Sequence, residues 1–296
     1  MSSPLKLVRA LGAAFTLGMV AAGAANSQAP APLALKVYNA DGNSFHVNAV
    51  VVSGKTEAVV IDGGFTRADA LRIAANALDS GKTVKTILIS NADPDFYFGA
   101  ETLKAVFPQA QVLATPAVRE KIQAKLEGKM AFWAPKMGAN APKQPVVPDE
   151  LKGTRVTVDG EAIEVRGTTG ELAHRPYVWI PSLKAIVGNI AVFGNLHVWT
   201  ADTQKASERQ AWLSQLDEMQ ALKPAVVVPG HMAAGTALDD SAIRYTRQYL
   251  QRFEAEAPKA KSGAELIEAM KQAYPQAGLP IALDIGAKVA KGEMKW

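Results

Sequence analysis

The sequence predicts an α+β fold in which two mixed β-sheets pack face to face and helices cover the outside. Two observations carry this. Short β-branched runs open the folded part of the chain and give way to alternating helix and strand, and the same succession returns from Thr154 onward. At 296 residues, 48% apolar and 20% charged, the chain is long and apolar enough to fill such a core. No repeat of solenoid period is present.

Taken in order, LKVYNADG, SFHVNAVVVSGK and TEAVVIDGGF are strand-like runs broken by Gly, Asn and Asp turns, and they predict an antiparallel meander. TRADALRIAANALDSG predicts a helix with Thr66 as N-cap and Gly81 as its close. Strand VKTILIS, helix AETLKAVFP and strand AQVLATP follow, then a helix from about Ala117 to Leu126. Four prolines in GKMAFWAPKMGANAPKQPVVP predict a long loop, of a length that in a compact domain is functional or disordered. Strands TRVTVDG, EAIEVRG, PYVWIP and KAIVGNIAVF lead to helix ERQAWLSQLDEMQAL, strand AVVVPGH and two C-terminal helices.

Ahead of the first strand, Lys6 and Arg9 precede the apolar run LGAAFTLGMVAAGAA, which ends in small residues. That pattern predicts a secretory signal peptide over residues 1–24, with a linker at 25–34, and hence a periplasmic or secreted protein with no membrane partner after cleavage. The formal charge of +4 falls by two when Lys6 and Arg9 leave, and no basic block remains, so nucleic acid is not an expected partner. With no cysteine, disulfides, thiolate metal sites and cysteine nucleophiles are excluded. The expected partner is a small-molecule substrate.

The stretch ILISNADPDFYFG raises the chemical question. A strand ends in Asn91, Asp93 and Asp95 just before a helix, at the mouth of a sheet where ligands bind, and an extended loop would aim the three side chains the same way. Asp, Asn and Pro are also standard N-capping residues, so the stretch taken alone reads equally as a turn.

VVIDGG, ILISNADPDFYFG, RGTTGE, IVGNIAVF and VVPGH, in this order and at these intervals, resemble the metallo-β-lactamase superfamily. The resemblance covers about residues 35–235, leaving 236–296 as a helical extension of the same domain, and implies the αββα sandwich. In that superfamily a His-x-His-x-Asp-His motif follows the strand, and its places fall here on Asn91, Asp93, Asp95 and Phe96. The next ligand falls on Glu171, the bridging Asp on Asn189 and the final His on His231. Only Asp95 and His231 keep the family identity.

The resemblance therefore implies an oxygen-rich ligand set, Asn91, Asp93, Asp95, Glu171 and Asn189 with one nitrogen from His231. Such a set suits one divalent ion, Mn, Fe, Mg or Ca, or Zn where supply outweighs preference. Asp62 matches the buried Asp that supports the metal loop. Phe96, Tyr97, Phe132, Trp133, His174 and His197 are expected around the substrate, with Phe132 and Trp133 in a covering loop. The implied activity is a metal-dependent hydrolase of esters, lactones or amides, with Asp95 taking the proton of the attacking water. An iron-dependent oxidoreductase and an inactive binding protein are the alternatives.

Overall fold

The computed structural model describes residues 32–296, together with Met1 and Ser2. The expected signal peptide and most of the linker fall outside the described residues. The sheet nearest the start of the chain has six strands, β1 (Ala34–Asn39), β2 (Asn48–Ser53), β3 (Glu57–Ile61), β4 (Thr83–Ile89), β5 (Gln111–Ala114) and β6 (Asp149–Glu150), paired in that order. The first three are an antiparallel meander, and β3 to β6 run parallel. Parallel neighbours require crossovers. These are α1 (Arg67–Asp79), then α2 (Pro94–Tyr97) with α3 (Ala100–Val106), then α4 (Pro116–Met137).

A second, five-stranded sheet has the order β12 (Val226–Val227), β10 (Ala185–Val187), β9 (Tyr177–Ile180), β8 (Glu161–Arg166), β7 (Arg155–Val158). A small parallel pair joins β11 (Phe193–Gly194) to β13 (His231–Met232). Helix α5 (Ala206–Ala221) precedes β12, and α6 (Ser241–Glu256), α7 (Gly263–Ala273) and α8 (Pro280–Ala290) close the chain.

The period-two alternation of β2 shows why two sheets stack. Val50 and Val52 point into an inter-sheet layer with Val59, Ile61 and Leu88, facing Ile163, Val178, Ile180 and Val187 of the second sheet. Ala49 and Val51 point the other way, against Ala70, Ile73 and Ala77 of α1 and Ile122 of α4. On the far side, Trp179 and Ile186 pack under Trp212 and Leu216 of α5 and Leu250 and Phe253 of α6. Three apolar layers between four structural layers make an αββα sandwich. Each fully buried large side chain in them contributes roughly 1.5–3 kcal/mol.

Three expectations are corrected. The first half of the expected loop is helical, because α4, 22 residues in all, runs on to Met137, and only the chain from Gly138 to Pro148 is irregular or a short turn. Gly128 and Pro135 are poor helix residues, but Lys, Met, Ala and Leu around them favour the helix, and Trp133 packs edge-on to Phe45 and Phe65 at 5.6 and 5.1 Å, which offsets their cost. The chain ends in three helices rather than two. Strands KAIVGNIAVF and AVVVPGH are shorter than their apolar runs, since the chain leaves the sheet after Val187 and Val227. Among the described residues, no helix is long and apolar enough to cross a membrane.

Candidate active site

The chain segments leaving β3, β4 and β10 meet at one end of the sandwich. Asp62, just past β3 and at φ 65°, accepts hydrogen bonds from Ser90 N at 2.7 Å and Ser90 Oγ at 2.8 Å, and so anchors the loop that leaves β4. Pro94 opens the short helix α2, Asp93 is its N-cap residue, and Asp95 lies in its first turn. Asn91 Oδ1 accepts from Asp93 N at 2.9 Å. This turn rotates the three side chains apart, so they do not point the same way. Asp95 faces a large pocket, Asn91 faces a side cavity, and Asp93 faces both. Gly99 sets the loop against the VVIDGG turn, since a Cβ there would collide with the carbonyl oxygen of Gly63.

His231 reaches the pocket from β13. Its Nδ1 lies 2.9 Å from the carbonyl oxygen of Phe45, and because a carbonyl can only accept, Nδ1 carries the proton. Nε2 is thereby left with its lone pair, 3.6 Å from Asp95 Oδ2. Phe193 stacks on the imidazole at 5.1 Å, and Phe96 meets it edge-on at 5.5 Å. Gly230 makes this approach possible, because any side chain there would strike the Asn189 carbonyl.

Burial sets the charge states. Desolvation raises Asp95 to about 7, and desolvation, with repulsion from Asp202 and Asp95, raises Asp93 to about 6. Desolvation likewise lifts Asp62 to about 7, against its hydrogen bonds from Ser90. His231 moves the other way, to about 4, so at neutral pH its ring is uncharged. Among the described residues, the cation beside these acids in the main pocket is Lys129 of α4, whose Nζ is 3.8 Å from Asp93.

Above this floor the pocket, about 560 Å³, is walled by six aromatic rings, Phe45, Phe65, Trp133, Phe193, Trp199 and Trp296, with Ile190 and Leu279. Asp202 ties two of them, accepting from Trp199 Nε1 at 2.7 Å and Trp296 Nε1 at 3.0 Å. A side cavity of about 250 Å³ opens past Asp93 and Asp202, lined by Asn91, Lys121, His174 and Arg175.

Several expected site residues are placed elsewhere. Glu171 is exposed and accepts from Ser207 Oγ at 2.8 Å, because the RGTTGE turn is held out toward α5, so it does not join Asp93 and Asp95. The amide of Asn189 is engaged by the backbone, Nδ2 donating to Val228 O at 3.0 Å and Oδ1 accepting from Val192 N at 2.9 Å. Phe96 and Tyr97 are fully buried on the inner side of α2 and do not line the pocket. Phe132 sits on the outer face of α4, 52% exposed, while Trp133 beside it lines the pocket. His197 is buried, with Nδ1 3.0 Å from Tyr249 Oη, away from the site. Phe45, Phe65, Lys129, Asp202 and Trp296 were not legible as site residues, since they are brought in by tertiary packing and none belongs to a local pattern.

A sequence profile of the metallo-beta-lactamase superfamily matches residues 42–231, more than half of the chain, and the chain belongs to that superfamily. Solved structures agree on the fold. A metallo-beta-lactamase family protein from Thermus thermophilus is similar at TM-score 0.62 and 18% identity, over 88% of this chain and 93% of that one. The DIM-1 metallo-beta-lactamase, in a crystal exposed to ceftazidime, is similar at 0.53 and 21%, over 74% and 93%, and a metallo-beta-lactamase from Pontibacter korlensis at 0.52 and 18%, over 74% and 95%. Comparison with curated proteins returns no match.

Members of this superfamily typically bind metal ions, most often zinc. The side chains here do not fit a pair of ions, because Phe96 has no donor, Asn189 is engaged and Glu171 is turned away. Among the described residues no three His, Asp or Glu side chains already form a ligand cluster. The donors that remain in the pocket are Asp93, Asp95 and His231, the residue types that would hold a cation. Asp93 and Asp95 are acids left with little compensation in a desolvated pocket, and the Nε2 lone pair of His231 faces the same space.

Proposed function

We propose that this chain is an exported hydrolase in which Asp93, Asp95 and His231 hold one divalent ion and the aromatic pocket receives the apolar part of an ester, lactone or amide. The observation that carries the reading is the pairing of Asp95 with the lone-pair nitrogen of His231 at 3.6 Å on the floor of the pocket. When bound, the ion supplies Lewis-acid polarisation of the substrate carbonyl and acidifies a water. Asp95, whose carboxylate lines the pocket floor, accepts the proton of the attacking water and returns it to the leaving oxygen or nitrogen. His231 stays neutral and is fixed in orientation by Phe45 and by the two flanking rings. The aromatic walls exclude bulk water, which strengthens the electrostatics at the floor. Export rests on the leader-like start of the sequence.

The test is hydrolysis of a panel of chromogenic esters, lactones and anilides by protein incubated with Zn, Mn or Fe(II). Metal-stimulated turnover that Asp95→Asn removes while leaving the fold intact supports the reading. Turnover unchanged in Asp95→Asn contradicts it.

One observation favours a second reading, a binding protein without catalysis. Lys129 stands where an ion would neutralise Asp93 and supplies a positive charge of its own. On this reading the folded protein is insensitive to chelators and turns over no substrate.

A further inference from the structure

The side cavity holds a buried cation whose terminal nitrogens have no hydrogen-bond partner among the described residues. Arg175 is 3% exposed, yet neither terminal guanidinium nitrogen has a hydrogen-bond partner, although such groups are satisfied in most folded proteins. Its plane lies over Trp212 at 4.2 Å, which fixes the fork without using its N–H groups. Three more donors line the same space. Asn91 uses its Oδ1 on Asp93 N, leaving Nδ2 free to donate. Lys121 brings an ammonium group from α4, and His174, lowered to about 4 chiefly by desolvation, brings a neutral ring.

Asp202 and Asp93 act on Arg175 through charge, without a hydrogen bond to its terminal nitrogens. Asp202 has both oxygens occupied by the indoles of Trp199 and Trp296, and Asp93 is shared with Lys129. We propose that the side cavity is a subsite for one carboxylate of the substrate, held by the Arg175 fork with Lys121 and Asn91, while the substrate's apolar body lies among the aromatic walls. The substrate class is then an amphipathic carboxylic acid. A planar monoanion matches the guanidinium fork in two parallel hydrogen bonds. A dianionic phosphoryl group is disfavoured, because Asp93 and Asp202 line the same cavity and repel the second charge. The inference takes the pocket of the proposed hydrolase as the ligand site but needs no turnover.

Binding to the full chain, with and without chelator, is followed by quenching of the pocket tryptophans with three probes of matched shape, 4-phenylbutyrate, 4-phenylbutyramide and 3-phenylpropylphosphonate. The acid is expected to bind at least about tenfold more tightly than the amide and more tightly than the phosphonate. That preference should fall to within about threefold in Lys121→Gln and in Arg175→Met. Arg175 is buried, so its variant is used only if its melting curve stays cooperative; Lys121 is partly exposed and, with the wild-type comparison, decides alone if it does not. Equal binding of acid and amide, a preference for the phosphonate, or full selectivity in Lys121→Gln overturns the proposal. A protein that selects the acid but hydrolyses nothing sinks the hydrolase reading and leaves the subsite standing.

Discussion

The imidazole of His231 donates from Nδ1 to the backbone carbonyl of Phe45 across 2.9 Å, and this bond leaves Nε2 as a bare lone pair over the pocket floor. A turn and a strand far apart in sequence therefore fix the tautomer a metal ligand needs. His231→Ala removes the only nitrogen donor of the proposed set. Its affinity for added Zn or Mn, read as the metal-dependent rise in melting temperature, is expected to drop by roughly 100-fold or more. An unchanged rise would remove His231 from the set.

Phe45 is itself held by a carboxylate. Asp69 of α1 accepts from Tyr38 Oη and Ser44 Oγ, both at 2.6 Å, and from Thr66 N and Oγ1 at 2.9 and 2.7 Å, so it ties β1 and the turn before Phe45 to the helix. Burial works to raise its pKa and these bonds outweigh it, leaving the group below its ordinary range. Asp69→Asn is expected to cost roughly 2–3 kcal/mol at neutral pH. A group with a lowered folded pKa gives up its contribution as pH falls through that value, so the penalty should shrink in acid. Denaturant melts at neutral and acid pH check both points.

Asp62 makes the opposite forecast. Its folded pKa, about 7, lies above the ordinary value of 3.8. Its contribution to stability is fully present below about 4 and is lost as pH rises through about 7. Asn keeps an acceptor for Ser90 N and tolerates the positive φ at this position. Asp62→Asn should therefore be more stable than wild type by roughly 1–3 kcal/mol at about pH 8, with the gain vanishing near pH 4. A gain of equal size at both pH values would show that buried charge at Asp62 is not its cause.

Trp133 tests the aromatic wall. It packs on Phe45 and Phe65 and is partly exposed, so Trp133→Ala should fold. Loss of one large aromatic contact should weaken binding of phenylalkyl ligands by about 5- to 30-fold, measured by calorimetry. Unchanged affinity would place the ligand elsewhere.

The sandwich was legible because its signals are local. Alternating residues in β2, the Thr66 cap and the strand-to-loop step at Ser90 each state their structure within a few residues. The site was legible only in part. Asp93, Asp95 and His231 sit in a pattern that points to the pocket, and Asp62 supports the loop as its position implied. Glu171 and Asn189 occupy ligand places in the sequence, but their side chains are engaged by Ser207 and by the backbone, and spacing carries no information about such partners. Pro135 and Gly128 looked like breakers, yet α4 runs on to Met137 and so places Lys129 and Trp133 on the pocket wall. Trp296 reaches the pocket beside Asp202 and Trp199, a contact across almost a hundred residues that no motif encodes.

Asp93, Asp95 and His231 are proposed to form a site for one cation. Elemental analysis of the purified protein, paired with melting curves before and after chelation, puts this to the test. The expected result is close to one divalent ion per chain, a melting temperature that falls on chelation and recovers on re-addition, and loss of both responses in Asp93→Ala. A protein with no stoichiometric metal, unaffected by chelator and made more stable by Asp93→Ala, would contradict it.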